Sequence, residues 1–271
     1  MEFVVACVTD LHFGPKAYYQ GKLRKLSHRA QSLADAFVDE LNRSVRPNLV
    51  VNLGDDIEDE DHDSDLHRYT TCIETLGKSH AELVNVAGNH DTVNLSPVEL
   101  LRIWRRKGDA KLFYSFDRGG KHFVVLHTRE RKDRDVSIGH AQLAWLESDL
   151  AATRRPTVVL MHHSAADQDL RGNPWFEKKA HICLVNERKA LRRVLHQSGK
   201  VILVLNGHLH WNHLDVIDGI PFVTVQSLVE NLDDDAPGRA ARAHAIVRLT
   251  TRRIVVEVGG AERARYQFNM R

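Results

Sequence analysis

The sequence predicts an α/β fold in which two packed sheets are flanked by helices within a single domain. Short apolar runs alternate with amphipathic helical segments through the first half of the chain, as in sheets whose parallel strands are joined by helices. This alternation gives way to consecutive strand-like runs after residue 212, which favours two packed sheets over one doubly wound sheet. No repeat, low-complexity tract or linker divides the 271 residues. We therefore expect one domain over residues 1–271, with residues 212–271 completing the second sheet.

Five apolar runs are each followed by acidic, amide or imidazole side chains. The runs are residues 3–9, 49–53, 82–87, 157–161 and 201–206. Such runs are typical of buried parallel strands. Ligands of open α/β sheets bind at the carboxyl edge of the strands. We therefore expect the polar residues at the five strand ends to form one site.

The remaining elements follow from helical stripes, turn residues and further apolar runs. Helices are predicted between Ser27 as N-cap and Pro47, and at about residues 66–76, 96–107, 138–150 and 186–197. Residues 15–26 are expected to form a polar loop. A β-hairpin is predicted around residues 118–120, and later strands at 214–217, 222–225, 245–249 and 253–258. The loop at residues 164–184 is long enough to be functional, and whether residues 164–185 or 230–242 form a lid stays open.

Composition excludes several classes of protein. The net charge of +2 argues against a nucleic-acid polymer or an acidic membrane surface as partner. No apolar run approaches the ~20 residues that a membrane helix needs, and the first residues enter a strand without a leader pattern. The three cysteines have no metal-type spacing, which fits a reducing compartment. We therefore expect a cytoplasmic protein without membrane contact.

The strand-end residues have the chemistry of a dinuclear metal site. The proposed ligands, all oxygen or nitrogen donors, are Asp10, His12, Asp55, Asn89, His162, His208 and His210. The two oxygens of Asp55 can bridge two cations, so that each ion has about four donors and keeps positions open for water and substrate, as catalytic sites require. Mixed nitrogen and oxygen donors without cysteine favour Mn, Fe or Zn over Ca or Mg. Two such ions promote in-line displacement at phosphorus and generate a hydroxide near neutral pH.

Two residues beside Asn89 are candidates for proton transfer. His90 follows this ligand directly, where a protonated imidazole can stabilise phosphoryl charge or protonate the leaving oxygen. Asp91 is expected to hold the other ring nitrogen of His90 and keep the ring charged.

The ordered motifs carry a resemblance to a known family. They are Asp10-Leu11-His12, Gly54-Asp55, Gly88-Asn89-His90-Asp91, His162-His163 and Gly207-His208-Leu209-His210. In type and order, up to about residue 211, they resemble the motifs of the calcineurin-like metallophosphoesterases.

This resemblance implies a four-layer α/β/β/α sandwich of two mixed sheets flanked by helices, and a dinuclear centre. It assigns one metal to Asp10, His12, Asp55 and His210, and the other to Asp55, Asn89, His162 and His208. It gives His90 the role of proton donor or phosphate contact. The chain departs from the family pattern at Asp56, where an apolar residue is usual, and at Ser164, where proline often follows the paired histidines.

Within the superfamily, Asn186 and the helix after it resemble the class III cyclic nucleotide and glycerophosphodiester phosphodiesterases, and also the manganese-dependent ADP-ribose and CDP-alcohol pyrophosphatases. This resemblance places Asn186 near the phosphate. His163 is a candidate for substrate binding, with simple packing as the alternative. Trp175 and Phe176, in the loop after His163, either stack on a base or anchor the loop.

We expect a dinuclear metal-dependent phosphodiesterase that hydrolyses a nucleotide or other small phosphodiester by attack of a metal-bound hydroxide. The alternatives are a nucleoside-diphosphate pyrophosphatase, a phosphomonoesterase, a nuclease and a non-catalytic scaffold with the same fold. The physiological substrate, the resident metals and the oligomeric state, including a homodimer, stay open at this point.

Overall fold

The computed structural model describes residues 2–108, 110–131 and 134–270. Its strands are β1 Phe3–Val8, β2 Ala17–Tyr19, β3 Lys22–Lys25, β4 Leu49–Asn52, β5 Glu82–Asn85, β6 Tyr114–Arg118, β7 Lys121–Val125, β8 Arg129–Arg131, β9 Asp135–Ser137, β10 Thr157–Leu160, β11 Val201–Asn206, β12 His213–Ile217, β13 Ile220–Thr224, β14 His244–Leu249, β15 Arg253–Gly259 and β16 Ala264–Asn269. Its α-helices are α1 Ala30–Glu40, α2 His62–Leu76, α3 Pro97–Ile103, α4 His140–Ala152 and α5 Arg188–Ser198. Among these described residues, no helix has the length and apolar character needed to cross a bilayer.

The first sheet has the strand order β16-β15-β14-β1-β4-β5. β1, β4 and β5 are parallel to one another, whereas β14, β15 and β16 run antiparallel to their neighbours. β1 and β4 are buried along their whole length because both faces of the sheet are covered. The three parallel strands therefore end at the same edge.

The second sheet has the strand order β12-β13-β11-β10-β7-β6. Its four inner strands, β7, β10, β11 and β13, are parallel, and the outer strands β6 and β12 are antiparallel to their neighbours. β6 and β7 form the hairpin that the sequence predicts around residues 118–120. The parallel strands again present their carboxyl ends at one edge.

Alternating side chains place the core in three layers. Val5 of β1 packs between the two sheets, whereas its neighbour Ala6 points outward and packs with Phe37 of α1. On the other side, Val159 of β10 packs with Leu146 of α4. Helices therefore cover both outer faces, and the predicted four-layer α/β/β/α sandwich of two mixed sheets in a single domain is confirmed.

Residues 212–271 divide between the two sheets. β12 and β13 join the second sheet as expected, but β14, β15 and β16 extend the first sheet. β14 pairs antiparallel with β1, from Phe3 opposite Leu249 to Cys7 opposite Ala245. The prediction that all of this segment completes the second sheet is therefore wrong. β1 has an edge opposite β4 that needs a partner, and an apolar run alone does not reveal which edge it will pair with.

Local predictions failed where short-range signals were weak. The expected polar loop at residues 15–26 contains the short hairpin β2–β3. Ser27 begins a 3₁₀ turn, and its hydroxyl is buried without a hydrogen-bond partner among the described residues, so it is not an N-cap. α2 begins earlier than predicted because Asp61 caps it, accepting the Ser64 N–H at 2.9 Å. α3 begins where the sequence predicts, after Ser96, which forms a full capping box with Glu99.

Candidate metal centre and active site

The carboxyl ends of parallel strands from both sheets meet at one edge of the sandwich. β1, β4 and β5 come from the first sheet, and β10 and β11 from the second. The seven predicted ligands follow these strands within four residues, at Asp10, His12, Asp55, Asn89, His162, His208 and His210. The structure brings all seven together in one cluster.

The backbone is tightly turned at most of these ligands. Five have φ in the left-handed region, namely Asp10 at 52°, His12 at 45°, Asp55 at 57°, His208 at 66° and His210 at 53°. Each such residue costs on the order of 1–3 kcal/mol and persists only where its surroundings hold it. The clustering of this strain at the strand ends indicates that the loops are shaped to aim these side chains.

Two glycines allow the loops to come this close. A Cβ on Gly207 would lie 1.9 Å from Oγ1 of Thr9 and 2.7 Å from Oδ2 of Asp10. A Cβ on Gly88 would lie 2.2 Å from Oδ1 of Asp55. Only glycine fits at these positions, and this close contact lets the ligands of the two sheets converge.

The first donor group contains one carboxylate of its own, that of Asp10, and two imidazoles. Nε2 of His12 lies 3.2 Å from Nε2 of His210. Oδ1 of Asp10 lies 3.5 Å from the same His210 nitrogen and 3.9 Å from that of His12. Oδ2 of Asp55 lies 4.0 Å from Nε2 of His12. Ligands at about 2.0–2.2 Å from one ion are separated from each other by roughly these distances.

The second donor group contains an amide and two further imidazoles. Nε2 of His162 lies 3.1 Å from Oδ1 of Asn89 and 3.2 Å from Nδ1 of His208. The same nitrogen lies 3.2 Å from Oδ2 of Asp55. Oδ2 of Asp55 therefore lies close to both groups, where this carboxylate can bridge two ions.

The donor atoms fit metal ions. Oδ1 of Asp10 is buried and has no hydrogen-bond partner in the part of the chain that the structure describes. Burial alone would raise the pKa of Asp55, but the charges of His162 and His90 outweigh it and hold that pKa well below its usual value. A buried, ionised carboxylate surrounded by imidazole nitrogens and an amide oxygen is the environment that a pair of divalent cations would satisfy.

The outer nitrogens of two ligand histidines are held by fixed acceptors. Nδ1 of His210 lies 2.6 Å from Oε2 of Glu230, and Nδ1 of His162 lies 2.9 Å from the carbonyl oxygen of Leu53. Nε2 of each ring then faces the cluster, the arrangement in which partners outside the ligand set orient metal-binding histidines. Burial lowers both pKa values, but Glu230 raises that of His210 to about 9 and Asp55 raises that of His162 to about 10.

A buried lysine and a glutamate support the third ligand histidine. Nδ1 of His12 lies 3.3 Å from Oε2 of Glu58 and 3.4 Å from Nζ of Lys25. Lys25 and Glu58 are 2.5 Å apart, and the lysine is buried. Burial and the Lys25 charge lower the pKa of His12 to about 4. His12 is therefore neutral near pH 7, the form that binds a metal.

His90 lies at the mouth of the cluster, with 27% of its side chain exposed. Its Nε2 lies 4.0 Å from Oδ2 of Asp55, and its ring packs edge-on against His12. Its Nδ1 is hydrogen bonded to Oδ1 of Asp59. Burial lowers the pKa of His90, but the Asp55 charge and the Asp59 hydrogen bond outweigh it, so the pKa is raised. The geometry therefore fits a protonated imidazole facing the site.

Asp91 does not hold His90, and that prediction is wrong. Oδ1 of Asp91 accepts the Asp56 N–H at 2.7 Å, and Oδ2 accepts the N–H groups of Asp55 at 3.0 Å and Gly88 at 2.8 Å. The two neighbours lie on a 3₁₀ turn at His90–Thr92, where successive side chains point in different directions. Asp91 is fully buried and joins the two loops that carry ligands.

The two predicted substrate-binding residues have other contacts. His163 is fully buried, its Nδ1 lies 2.7 Å from Oγ1 of Thr128, and its ring packs against His208 with centroids 4.2 Å apart. Of the two alternatives for His163, substrate binding and simple packing, the structure favours packing, against the metal ligand His208. Asn186 is exposed and donates a hydrogen bond to Oδ2 of Asp135 at 2.9 Å, so the structure does not bring it among the ligands.

Aromatic residues form a wall beside the ligands. The Phe176 ring lies against His208 with centroids 4.6 Å apart, and the Trp175 ring lies against His210 at 5.1 Å. Tyr19, from the hairpin β2–β3, stacks on Trp175 at 4.9 Å. The Trp175 indole is therefore in contact with two protein rings. The geometry supports the loop-anchor alternative for Trp175 over stacking on a base.

Four residues of the site were missed by sequence reasoning, namely Lys25, Glu58, Asp59 and Glu230. Glu58 and Asp59 lie three and four residues after the ligand Asp55. This closeness in sequence to a ligand is the signal that could have identified them. Lys25 lies in the expected polar loop and Glu230 in a polar segment without a motif, so no local pattern marks either residue.

A family model agrees with the motifs. The model described as calcineurin-like phosphoesterase matches residues 3–212, which include all seven ligands.

Two curated relatives are similar in sequence. The chain is 29% identical over 213 residues to a probable cyclic nucleotide phosphodiesterase of Synechococcus sp., covering 78% of this chain and 74% of that protein. It is 23% identical over 208 residues to a probable cyclic nucleotide phosphodiesterase of Psychrobacter sp., covering 74% of this chain but only 57% of the relative.

Solved structures share the fold. A dimetal phosphatase from Danio rerio superposes with a TM-score of 0.74 at 20% identity, over 97% of this chain and 98% of that one. GAP50, the anchor in the inner membrane complex of Plasmodium, superposes with a TM-score of 0.63 at 14% identity, over 100% of this chain and 89% of that one. At these identities the likeness extends to the fold alone.

Proposed function

The chain belongs to the calcineurin-like phosphoesterase family, and from this premise we propose that it is a phosphodiesterase acting on a nucleotide or other small phosphodiester. The family and the curated relatives make it a metal-dependent phosphoester hydrolase. Our proposal is the finer statement that the substrate is a phosphodiester and that it is a small molecule.

The shared oxygen of Asp55 is the observation on which the proposal rests. Oδ2 lies 4.0 Å from Nε2 of His12 in one donor group and 3.2 Å from Nε2 of His162 in the other. One carboxylate oxygen shared by the two donor groups supports a pair of ions over a single one. Nitrogen and oxygen donors without thiolate support Mn, Fe or Zn as their identity.

The chain's own residues would position and protonate the substrate. When bound, the metal pair would supply charge neutralisation at phosphorus and lower the pKa of a water nucleophile. His90, held at Nδ1 by Asp59, presents Nε2–H toward the same space, where it can donate to a phosphoryl oxygen or to the leaving oxygen. The wall of Phe176 and Trp175 limits the space beside His208 and His210.

Two further observations support a small diester as the substrate. Both curated relatives are named as probable cyclic nucleotide phosphodiesterases. The net charge of +2 offers little long-range attraction for a polymer of phosphates.

A substrate panel tests the proposal. We expect hydrolysis of bis(p-nitrophenyl) phosphate and cyclic AMP with added Mn, and its loss in Asp55→Asn. Asp63→Asn is the matched control, because that side chain lies on α2 and is 98% exposed. Turnover of ADP-ribose alone would reassign the chain as a pyrophosphatase, and turnover of p-nitrophenyl phosphate alone would make it a phosphomonoesterase. Equal turnover in Asp55→Asn would contradict the site itself.

We also propose a reducing, cytoplasmic setting. All three cysteines, Cys7, Cys72 and Cys183, are free thiols buried in the fold. Such a pattern suits a compartment in which disulfides do not form.

A further inference from the structure

A second cavity lies between α1 and the turns that flank β14 and β15. We call it the α1 cavity; its lining includes Arg29, Leu33, Phe37, Arg242, His244 and Arg263. Its volume is about 770 Å³, within the range of roughly 300–1,000 Å³ that is typical of small-molecule sites. None of the seven metal ligands contributes to this lining, so the α1 cavity is separate from the metal centre.

The rim of the α1 cavity concentrates positive charge. Four guanidinium groups line it, from Arg29, Arg239, Arg242 and Arg263, against the single carboxylate of Glu40. The whole chain carries a net charge of only +2, so the excess at this cavity is local. Planar guanidinium groups match the geometry of phosphate oxygens and bind them with charge-assisted hydrogen bonds.

Two of these arginines are available to a ligand. Arg242 and Arg263 are exposed and have no ion-pair partner among residues 2–108, 110–131 and 134–270. The other two have protein contacts: Nη2 of Arg239 lies 3.2 Å from Asp233, and Nη1 of Arg29 lies 3.4 Å from the carbonyl oxygen of Gly238.

The α1 cavity has a mixed polar and apolar lining that contains two rings. Leu33 and Phe37 project from α1, and Leu228 lies across from them. The Phe37 ring packs against the imidazole of His244 with centroids 5.3 Å apart. A Cβ on Gly259 would lie 2.5 Å from Nε2 of His244, so glycine is what lets the imidazole lie across this turn. Apolar and aromatic side chains below a few charged groups are the usual lining of a site for a ring-bearing ligand.

We propose that the α1 cavity is a second ligand site, for a small anion that carries both phosphate and a ring system, which is the chemistry of a nucleotide. Arg242 and Arg263 would bind the phosphate, and the partly exposed imidazole of His244, which packs on the buried Phe37 ring, would receive the ring of the ligand. This site is independent of the phosphoester hydrolysis proposed above.

Isothermal titration of AMP into the purified full chain tests this proposal. We expect a binding event that persists in Asn89→Ala, which removes a ligand of the metal centre. In Arg242→Gln/Arg263→Gln we expect at least a tenfold loss of affinity. The matched control is Arg102→Gln/Arg193→Gln, which removes the same charge from exposed arginines on α3 and α5 and should leave the affinity unchanged.

Three results would overturn the proposal. AMP binding that disappears in Asn89→Ala would belong to the metal centre. Unchanged affinity in Arg242→Gln/Arg263→Gln would remove the arginines from the site. Inorganic phosphate binding as tightly as AMP would refute the role of the ring. All the substituted arginines are exposed, so circular dichroism should show that each variant folds like the parent.

Discussion

The imidazole of His90 is hydrogen bonded through Nδ1 to Oδ1 of Asp59. Asp59 lies four residues after the shared ligand Asp55, on the loop that leaves β4. The same loop therefore supplies the central carboxylate and the group that orients His90. The sequence alone does not show which carboxylate orients His90. In the structure Asp59 does so, whereas Asp91 binds backbone N–H groups.

Replacing Asp59 is expected to reduce turnover without loss of metal. Positioned proton transfer contributes about 10²–10⁴-fold to rates, so we expect Asp59→Asn to lower kcat by about 10²-fold. The hydrogen bond to Asp59 contributes to the raised pKa of His90, together with the charge of Asp55. Without the hydrogen bond to this carboxylate that pKa falls, and the alkaline limb of the pH–rate profile should shift to lower pH.

Asp63→Asn is the control for Asp59→Asn, since it removes an exposed carboxylate of α2. An unchanged pH–rate profile in Asp59→Asn would show that His90 does not depend on Asp59.

Replacing Asp91 should destabilise the fold. Its carboxylate accepts the N–H groups of Asp55, Asp56 and Gly88 in a fully buried position. Leaving a buried donor unpaired costs about 1–3 kcal/mol, so we expect Asp91→Ala to lower the free energy of unfolding by at least this amount. Urea denaturation of the metal-free protein measures it. An unfolding free energy equal to that of the parent would contradict the structural role of Asp91.

Glu230 is expected to control metal affinity from outside the ligand set. Its Oε2 lies 2.6 Å from Nδ1 of His210, and substitutions at such positions typically cost 10–100-fold in metal affinity. We therefore expect a loss of this size in Glu230→Gln, measured by competition with a chelating dye. Glu74→Gln, on the exposed face of α2, should bind metal like the parent. Equal affinity in both variants would remove Glu230 from the metal centre.

Metal binding should release protons. In the metal-free chain the pKa of His162 is raised to about 10 and that of His210 to about 9, so both rings are protonated near neutral pH. A cation must displace these protons, and its apparent affinity should rise as the pH approaches 9–10. Isothermal titration of Mn in two buffers of different ionisation enthalpy measures the protons released. Identical heats in the two buffers would contradict this prediction.

The parts of the fold that could be predicted are those in which the local pattern of apolar residues matches the burial of the element in the structure. β1 and β4 are apolar runs because both of their faces are covered, and each is followed within three residues by a ligand. The sheet joined by β14, which pairs with β1, was not predictable from its own apolar pattern, because such a pattern does not specify the partner strand. Lys25 and Glu230 are distant in sequence from the histidines that they support, so only the folded chain reveals their roles.

Anomalous diffraction from Mn-loaded crystals is the most direct measurement of the metal centre. We predict two anomalous peaks roughly 3.5–4 Å apart, the usual spacing of catalytic metal pairs. One should lie beside His12 and His210, the other beside His162 and Asn89, with Oδ2 of Asp55 between them. A single peak, or two peaks that do not share the Asp55 carboxylate, would contradict this account.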